Sequence, residues 1–272
     1  MPNSNDQSRT VVTAIEYMKK HLEEEITSEE LASLVGYSPY HFSRVFKGIT
    51  GISPRHYLSA LRIEAGKKIL VDASSSSILK TLLLIGFRSI GTFSTKFKQF
   101  VGLSPKQFQL RTDDLHQFIN HFERQDKLEA IKLTPPVISC HLEFPKGFKG
   151  LIFIGLFPRP IPDQRPVAGT AITHNQTNCV FSAVPLGTYY VLAAALPLSF
   201  HPKDYFLLDK SLRGKSDHVI EVTERTEAEV KIRLRDPLPY DPPILINLPQ
   251  LLFEKEKNKA NLKKFFIIFL LN

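Results

Sequence analysis

Residues 36–47 read Gly-Tyr-Ser-Pro-Tyr-His-Phe-Ser-Arg-Val-Phe-Lys, and residues 86–98 read Gly-Phe-Arg-Ser-Ile-Gly-Thr-Phe-Ser-Thr-Lys-Phe-Lys. The two stretches are similar at an offset of 50 residues, which becomes 51 after one inserted residue. The sequences Gly51-Ile-Ser-Pro54 and Gly102-Leu-Ser-Pro105 continue the similarity. Self-similarity at a fixed spacing indicates one supersecondary unit used twice. The repeat therefore predicts a duplicated unit in the first part of the chain.

Local signals identify this unit as two short helices joined by a tight turn. Thr27 and Glu30 have capping-box spacing, and apolar residues follow them at helical intervals. Gly36 favours a left-handed helix end, and Ser38 before Pro39 favours the start of the next helix. A short helix, a Gly-containing turn and a second helix form a helix-turn-helix.

The second helix of each unit is predicted to have one buried face and one outward face. The buried positions are Phe42, Val45, Phe46 and Ile49 in the first copy and Phe93, Phe97 and Phe100 in the second. The outward and edge positions are Tyr40, His41, Arg44 and Lys47 in the first copy and Gly91, Thr92, Thr95 and Lys98 in the second. Ser53-Pro54 starts a longer helix to about Leu70, which would join the units. Two units about 34 Å apart enter successive major grooves of one DNA duplex.

The charge of the chain is concentrated in the same region. The net charge is +8, and residues 37–111 hold twelve Lys and Arg against two Asp and Glu. A basic block of this kind indicates a polyanionic partner, and a solvated lysine-rich face is the alternative.

The sequence here resembles the AraC/XylS family of bacterial transcription regulators over about residues 11–110. Besides the repeated stretches, Ile26-Thr-Ser-Glu-Glu-Leu-Ala32 and Leu61-Arg-Ile-Glu-Ala65 carry the resemblance. It implies a seven-helix domain that binds double-stranded DNA. We expect a sequence-specific transcription regulator, by family resemblance an activator, that inserts two recognition helices into a promoter. A non-enzymatic binding or scaffold protein with degenerate DNA recognition is the alternative.

The resemblance implies base contacts at Tyr40, Ser43, Arg44, Ile90, Gly91 and Thr95, and the outward faces and their charge add the other expected DNA contacts. Base contacts are expected from Tyr40, His41, Ser43 and Arg44 in the first unit and from Ile90, Gly91, Thr92 and Thr95 in the second. Phosphate contacts are expected from Lys47, Arg55, Lys96 and Lys98, with Lys67 and Lys68 as further candidates. For Arg55, Lys67 and Lys68, a solvated surface charge is the alternative. Leu82 and Thr95 depart from the family pattern, which has a small residue and often Arg there. We therefore hypothesise that the first unit supplies most base specificity and the second mainly contacts phosphate.

The C-terminal half has a different pattern, with short strand-like runs between turns rich in Pro, Gly and Asn. The runs are residues 137–142, 151–157, 179–183, 188–195, 218–222 and 229–234. Short strands at this spacing predict a β-sandwich. Residues 184–193 resemble a hairpin of prealbumin-like or carboxypeptidase-regulatory-like sandwiches. Such a domain would bind a small-molecule effector or a protein partner. Tyr189, Tyr190, His201 and Tyr205 either line a pocket or serve as hairpin and core aromatics.

Together these patterns predict a multi-domain α + β protein in which an all-α double helix-turn-helix domain precedes an all-β sandwich. The predicted parts are a DNA-binding domain at 9–111, a connector at 112–136, a sandwich at 137–250 and a charged, then apolar tail at 251–272. The tail ends in seven apolar residues, too few to cross a bilayer, where about 20 are needed. A buried strand, a partner-binding segment and an abnormal end of the reading frame stay open for it.

The remaining expectations concern chemistry and location. The polar N-terminus has no signal peptide, so we expect a cytoplasmic protein without membrane contact, for which RNA polymerase is a further partner. We expect no enzymatic activity, cofactor or metal site, since no nucleotide, hydrolase or zinc motif occurs. Some DNA-repair methyltransferases join a similar module to a reactive cysteine in a Pro-Cys-His context. Cys140 stands between Ser139 and His141, so the proline is missing.

Overall fold

The helical part of the chain contains seven helices within the residues that the structure describes. The computed structural model describes residues 4–72, 78–120, 134–199, 201 and 203–257. The helices are α1 (Ser4–Lys20), α2 (Ser28–Leu34), α3 (Pro39–Thr50), α4 (Pro54–Asp72), α5 (Ile78–Leu84), α6 (Ile90–Val101) and α7 (Pro105–Asn120). The pairs α2–α3 and α5–α6 are the two predicted helix-turn-helix units, and α4 joins them.

The predicted helix signals are present at the first unit. The Thr27 hydroxyl accepts a hydrogen bond from the Glu30 amide at 3.1 Å, and the Thr27 amide donates to the Glu30 carboxylate at 2.8 Å. Ser38 caps α3. Gly36 and Gly86 occupy equivalent turns with φ of +71° and +72°, a conformation that costs glycine little. The turn that follows the first helix of each unit is thus specified by glycine.

Each recognition helix is held by phenylalanine side chains. Phe42 and Phe46 of α3 are fully buried in the first unit's core, as are Phe93 and Phe97 of α6 in the second. These buried stripes confirm the predicted orientation of both helices.

The second unit places its small residue on a different helix from the first. In the first unit Ala32 of α2 is fully buried, whereas its counterpart Leu82 is buried in the second core. A Cβ atom added to Gly66 of α4 would lie 3.1 Å from Ile85 Cδ1 and 3.2 Å from a ring atom of Phe93. In the second unit, Gly66 of α4 therefore allows Ile85 and Phe93 to approach closely.

The C-terminal part forms two β-sheets that pack face to face, as predicted. The strands are β1 (Val137–Glu143), β2 (Gly150–Phe157), β3 (Ala168–Thr173), β4 (Asn178–Phe181), β5 (Gly187–Pro197), β6 (Leu212–Lys215), β7 (Ile220–Val222) and β8 (Glu227–Arg233), with a short helix α8 (Lys203–Phe206) after β5. One sheet has the order β4-β1-β8, and the other has β3-β2-β5-β6 with β7 also paired to β5. A shared core that includes Ile138, Ile154 and Val191 fills the space between the sheets.

The six predicted strand runs correspond to observed strands, whereas β3, β6 and the short helix α8 were not predicted. A further helix covers residues 248–257, so the predicted boundary after residue 250 lies inside it. The helix α7 extends into the predicted connector as far as Asn120, and residues 121–133 and 258–272 lie outside the described part.

The two domains share a hydrophobic core. The cluster around Phe93 and Phe97 continues through α7 to the outer face of β2 and β5, where it includes Phe153 and Ala194. The second helix-turn-helix unit therefore packs directly against the sandwich.

The β2–β3 connection, residues 158–167, lies between the two helix-turn-helix units, and we name it the wedge loop. Its Ile161 is fully buried and belongs to the core of the first unit. Its buried Asp163 accepts a hydrogen bond from His56 Nε2 of α4 at 2.6 Å and pairs with Arg159 at 3.1 Å. The His56 ring contacts Phe100 of α6, with ring centroids 5.4 Å apart. The wedge loop thus connects both units to the sandwich.

Candidate nucleic-acid interface

The outward face of α3 is open to solvent. Tyr40 is 81% exposed, and Arg44 and Lys47 are also exposed, while His41 and Ser43 are half-buried at the edge of the face. A guanidinium nitrogen of Arg44 lies 3.3 Å from His41 Nδ1. This face presents an aromatic ring, a hydroxyl and two cations near the start of a helix, where helix-turn-helix proteins contact base edges.

The outward face of α6 is also open but carries smaller groups. Ile90, Gly91, Thr92 and Thr95 are exposed. The Thr92 amide donates to the Ser89 hydroxyl, which in turn donates to the Thr92 hydroxyl at 2.9 Å. Both faces are therefore accessible, and the α6 face offers no long polar side chain at the positions predicted to contact bases.

The residues predicted to contact phosphate differ in their exposure and in their partners. The exposed cations are Lys47, Arg55 and Lys98, with Lys96 half-buried. Lys68 lies 3.7 Å from Asp209 in an ion pair with the sandwich.

Lys67 was wrongly predicted as a phosphate contact. Its side chain is buried, and Nζ donates to the carbonyl oxygens of Ile244 at 3.4 Å and Leu245 at 3.1 Å. Burial lowers the pKa of Lys67 to about 8. The residue lies in the contact between α4 and the sandwich, where it cannot reach DNA.

Two further arginines of the basic block contact the loop between α1 and α2. Arg62 donates to the carbonyl oxygens of Leu22 and Glu24, and Arg88 pairs with Glu25 at 2.5 Å. Both hold the α1–α2 loop against the later helices. The acidic N-terminal segment and the basic block could have suggested such pairing, but the partners could not be assigned from sequence.

The four aromatic residues considered for a pocket lie elsewhere. Tyr189 belongs to the sandwich core, where its hydroxyl donates to the Leu186 carbonyl, and the Tyr205 hydroxyl accepts from the Ser199 amide. None of Tyr189, Tyr190, His201 and Tyr205 lines the cavities described for residues 4–257. The core interpretation fits Tyr189, whereas β4 and β5 lie in different sheets and form no hairpin with each other.

The cysteines lie opposite each other on neighbouring strands. Cys140 of β1 and Cys179 of β4 are paired residues of the sheet, and both thiols are buried. A hydrogen bond with the Cys179 thiol and burial both raise the pKa of Cys140. Because the thiolate is the nucleophile, this environment opposes reaction at Cys140.

Residues 31–111 match the family model described as a helix-turn-helix domain. This part of the chain is a helix-turn-helix domain, similar to those of AraC-type regulators. The match confirms the resemblance inferred from the repeated motifs.

Relatives with similar AraC-type domains have been described. The chain is 35% identical over 94 residues to the bifunctional transcriptional activator/DNA repair enzyme AdaA of Bacillus subtilis, covering 35% of this chain and 44% of AdaA. It is 33% identical over 95 residues to the MmsAB operon regulatory protein of Pseudomonas aeruginosa, covering 35% and 31%. A solved AraC-type regulator from Chromobacterium violaceum is 26% identical and covers 38% of this chain and 92% of that chain, with a TM-score of 0.37.

The alignments reach only part of each relative. The chain spans less than half the length of these two curated relatives. Among residues 4–257 with their gaps, no helix is long and apolar enough to cross a membrane. In the same described residues, no three His, Cys, Asp or Glu side chains are grouped so as to hold a metal ion.

Proposed function

We propose that this chain is a sequence-specific DNA-binding transcription regulator. In this proposal, α3 and α6 enter successive major grooves of one promoter site, and the protein acts in the cytoplasm as an activator that contacts RNA polymerase. The proposed DNA-binding domain is residues 9–111 and the proposed sandwich begins at residue 137, while its predicted end at residue 250 falls inside the 248–257 helix. The observation that carries the proposal is the pair of exposed polar faces on two equivalent helices of an AraC-type domain.

The two faces are proposed to have different tasks. Arg44 is exposed and long enough to bind O6 and N7 of guanine with two hydrogen bonds. Thr95 offers one short hydroxyl, so the second unit would act mainly through phosphate contacts from Lys96 and Lys98. The first unit then supplies most of the sequence selectivity.

No enzymatic step belongs to the proposal. The one sulfur considered for methyl transfer, that of Cys140, is buried in the sandwich core beside Cys179. Recovery of a labelled methyl group on Cys140 after incubation with methylated DNA would show that the chain transfers methyl groups and would contradict this part of the proposal.

The test begins with selection of bound genomic fragments, followed by gel-shift assays with the selected site. Arg44→Ala should reduce discrimination against a mismatched site by about 5- to 150-fold, the equivalent of about 1–3 kcal/mol. Thr95→Ala should reduce it by less than about fivefold, because one hydroxyl contact is lost.

Arg225→Ala is the matched control, since Arg225 is exposed in the sandwich between β7 and β8. It should leave discrimination unchanged. Equal losses from Arg44→Ala and Thr95→Ala would reject the division of tasks. Loss of all selective binding by the wild type at moderate salt would instead support the scaffold alternative.

A further inference from the structure

An apolar cavity lies on the outer face of the second sheet, away from the sandwich core. It has a volume of about 490 Å³, within the range of sites for small organic ligands. Small residues of the sheet leave the space open, among them Gly169, Ala171 and Ala194. Phe153 and Phe157 of β2 complete the floor.

Two segments cover this floor. Leu248, Leu251 and Leu252 of the 248–257 helix form one wall, and Pro162 and Pro166 of the wedge loop form another. Both walls of the cavity are therefore apolar, and the cavity suits the apolar part of a ligand.

The mouth of the cavity is charged. Arg165 of the wedge loop pairs with Glu254 of the 248–257 helix at 2.7 Å, and Lys255 Nζ donates to the Gly169 carbonyl at 2.8 Å. Burial alone would raise the pKa of Glu254, but hydrogen bonds from Arg165 and Gln250 lower it. Two cations and one anion therefore surround the opening, which favours an anionic group on the ligand.

Both covering segments lie beside the C-terminal end of the second recognition helix. The Asn247 amide, just before the 248–257 helix, donates to the carbonyl of Val101, the last residue of α6, at 3.1 Å. A Cβ atom added to Gly102, the next residue, would lie 3.9 Å from Arg165 Nε of the wedge loop. The wedge loop also reaches the end of α3, because a Cβ atom on Gly51 would lie 3.2 Å from Pro160.

We propose that this cavity is an effector site for an apolar molecule with a single carboxylate, and that its occupancy changes the placement of α6 relative to α3. The second half of this proposal rests on the proposed DNA-binding function, whereas the first half does not. A ligand that separates or draws together the wedge loop and the 248–257 helix acts on the two segments that lie beside the α6 end. The second recognition face is then the one that responds.

Calorimetric titration of the full chain tests the cavity without DNA. Three probes share a ten-carbon chain and differ in charge: decanoate, decan-1-ol and decyltrimethylammonium. Decanoate should bind about five times as tightly as the alcohol, as expected for a half-exposed charge pair, and the cation should bind least. Equal binding of all three, or binding of none, would overturn the assignment of an anionic ligand.

Variants locate the binding. Ala194→Phe fills the floor and should weaken decanoate binding by at least about tenfold, equivalent to 1.4 kcal/mol. Val180→Phe adds the same ring at an exposed position of β4 and should change nothing. Arg165→Gln, at a half-exposed position, should remove the preference for decanoate over the alcohol. Unchanged preference in Arg165→Gln would contradict the charged mouth even if Ala194→Phe failed to fold.

One result would identify another occupant. If no probe binds the wild type but decanoate binds the full-length Phe266→Asp/Phe269→Asp variant, the chain's own C-terminal segment occupies the cavity and the proposal is wrong.

The regulatory half is tested with the selected DNA site. Decanoate should change the affinity for DNA by at least about fivefold, and DNA should change the affinity for decanoate by the same factor. Footprinting should show the change at the half-site bound by α6. Decanoate binding without any change in DNA affinity would reject the coupling, while a chain that binds no DNA would reject the proposed function and leave the titration result intact.

Discussion

Lys67 shows how one residue's environment can reverse its expected role. A lysine in a basic block looks like a phosphate contact, yet its partners are carbonyl groups 177 and 178 residues away. No local pattern reveals a partner at that separation. The exposed residues of the recognition faces, by contrast, were predictable because helical periodicity alone sets which side chains point away from a buried stripe.

The buried ammonium of Lys67 makes stability depend on pH. Its pKa is about 8 in the folded protein and 10.5 when unfolded, so the folded state releases its proton first. Wild-type stability should therefore rise between about pH 8 and pH 10.5 by up to roughly 3 kcal/mol from this group. Urea unfolding of the wild type and of Lys67→Met at pH 7.5 and 10 measures the difference, which should grow with pH. A constant difference would contradict the assignment.

Among the elements, those that carry their own start and stop signals were predicted best. The α2–α3 unit has a capping box, a turn glycine and a capped second helix, all of which act within a few residues. The strands β3 and β6 were missed because Ala168–Thr173 and Leu212–Lys215 are small, Gly-containing or polar. Their strand state depends on pairing with β2 and β5, which is a tertiary contact. The wedge loop was predicted only as a turn, because nothing in its proline-rich sequence indicates that Ile161 is buried in the first unit.

The duplicated turn offers a matched pair of substitutions. Gly36→Ala and Gly86→Ala place a side chain at nearly the same positive φ, which costs on the order of 1–3 kcal/mol. At Gly36 the added Cβ meets no atom within 4 Å, whereas at Gly86 it would clash with the Leu22 carbonyl oxygen. Gly86→Ala should therefore destabilise the protein more than Gly36→Ala, by about a further 1–3 kcal/mol. Thermal unfolding of both variants measures this, and equal losses would mean that the α1–α2 loop moves aside freely.

At the scale of the whole molecule, the distribution of charge sets how DNA binding responds to salt. With about six to ten phosphate contacts, affinity should fall by roughly 10³–10⁵ between 50 and 200 mM salt. Arg55→Ala should make the logarithmic salt dependence shallower by about one, since Arg55 is exposed. Lys67→Met should leave that slope unchanged because Lys67 is inside the protein. Fluorescence anisotropy across a salt series distinguishes the two, and a shallower slope in Lys67→Met would contradict the structure.

The position of Ile161 has a consequence for how this protein can be taken apart. The residue is carried by the sandwich, yet it completes the interior of the first helix-turn-helix unit. A helical half grafted onto a foreign partner would lack this side chain and would expose the hollow that it fills. The two halves are therefore not interchangeable cassettes, and any hybrid regulator made from this chain would have to bring the β2–β3 connection with it.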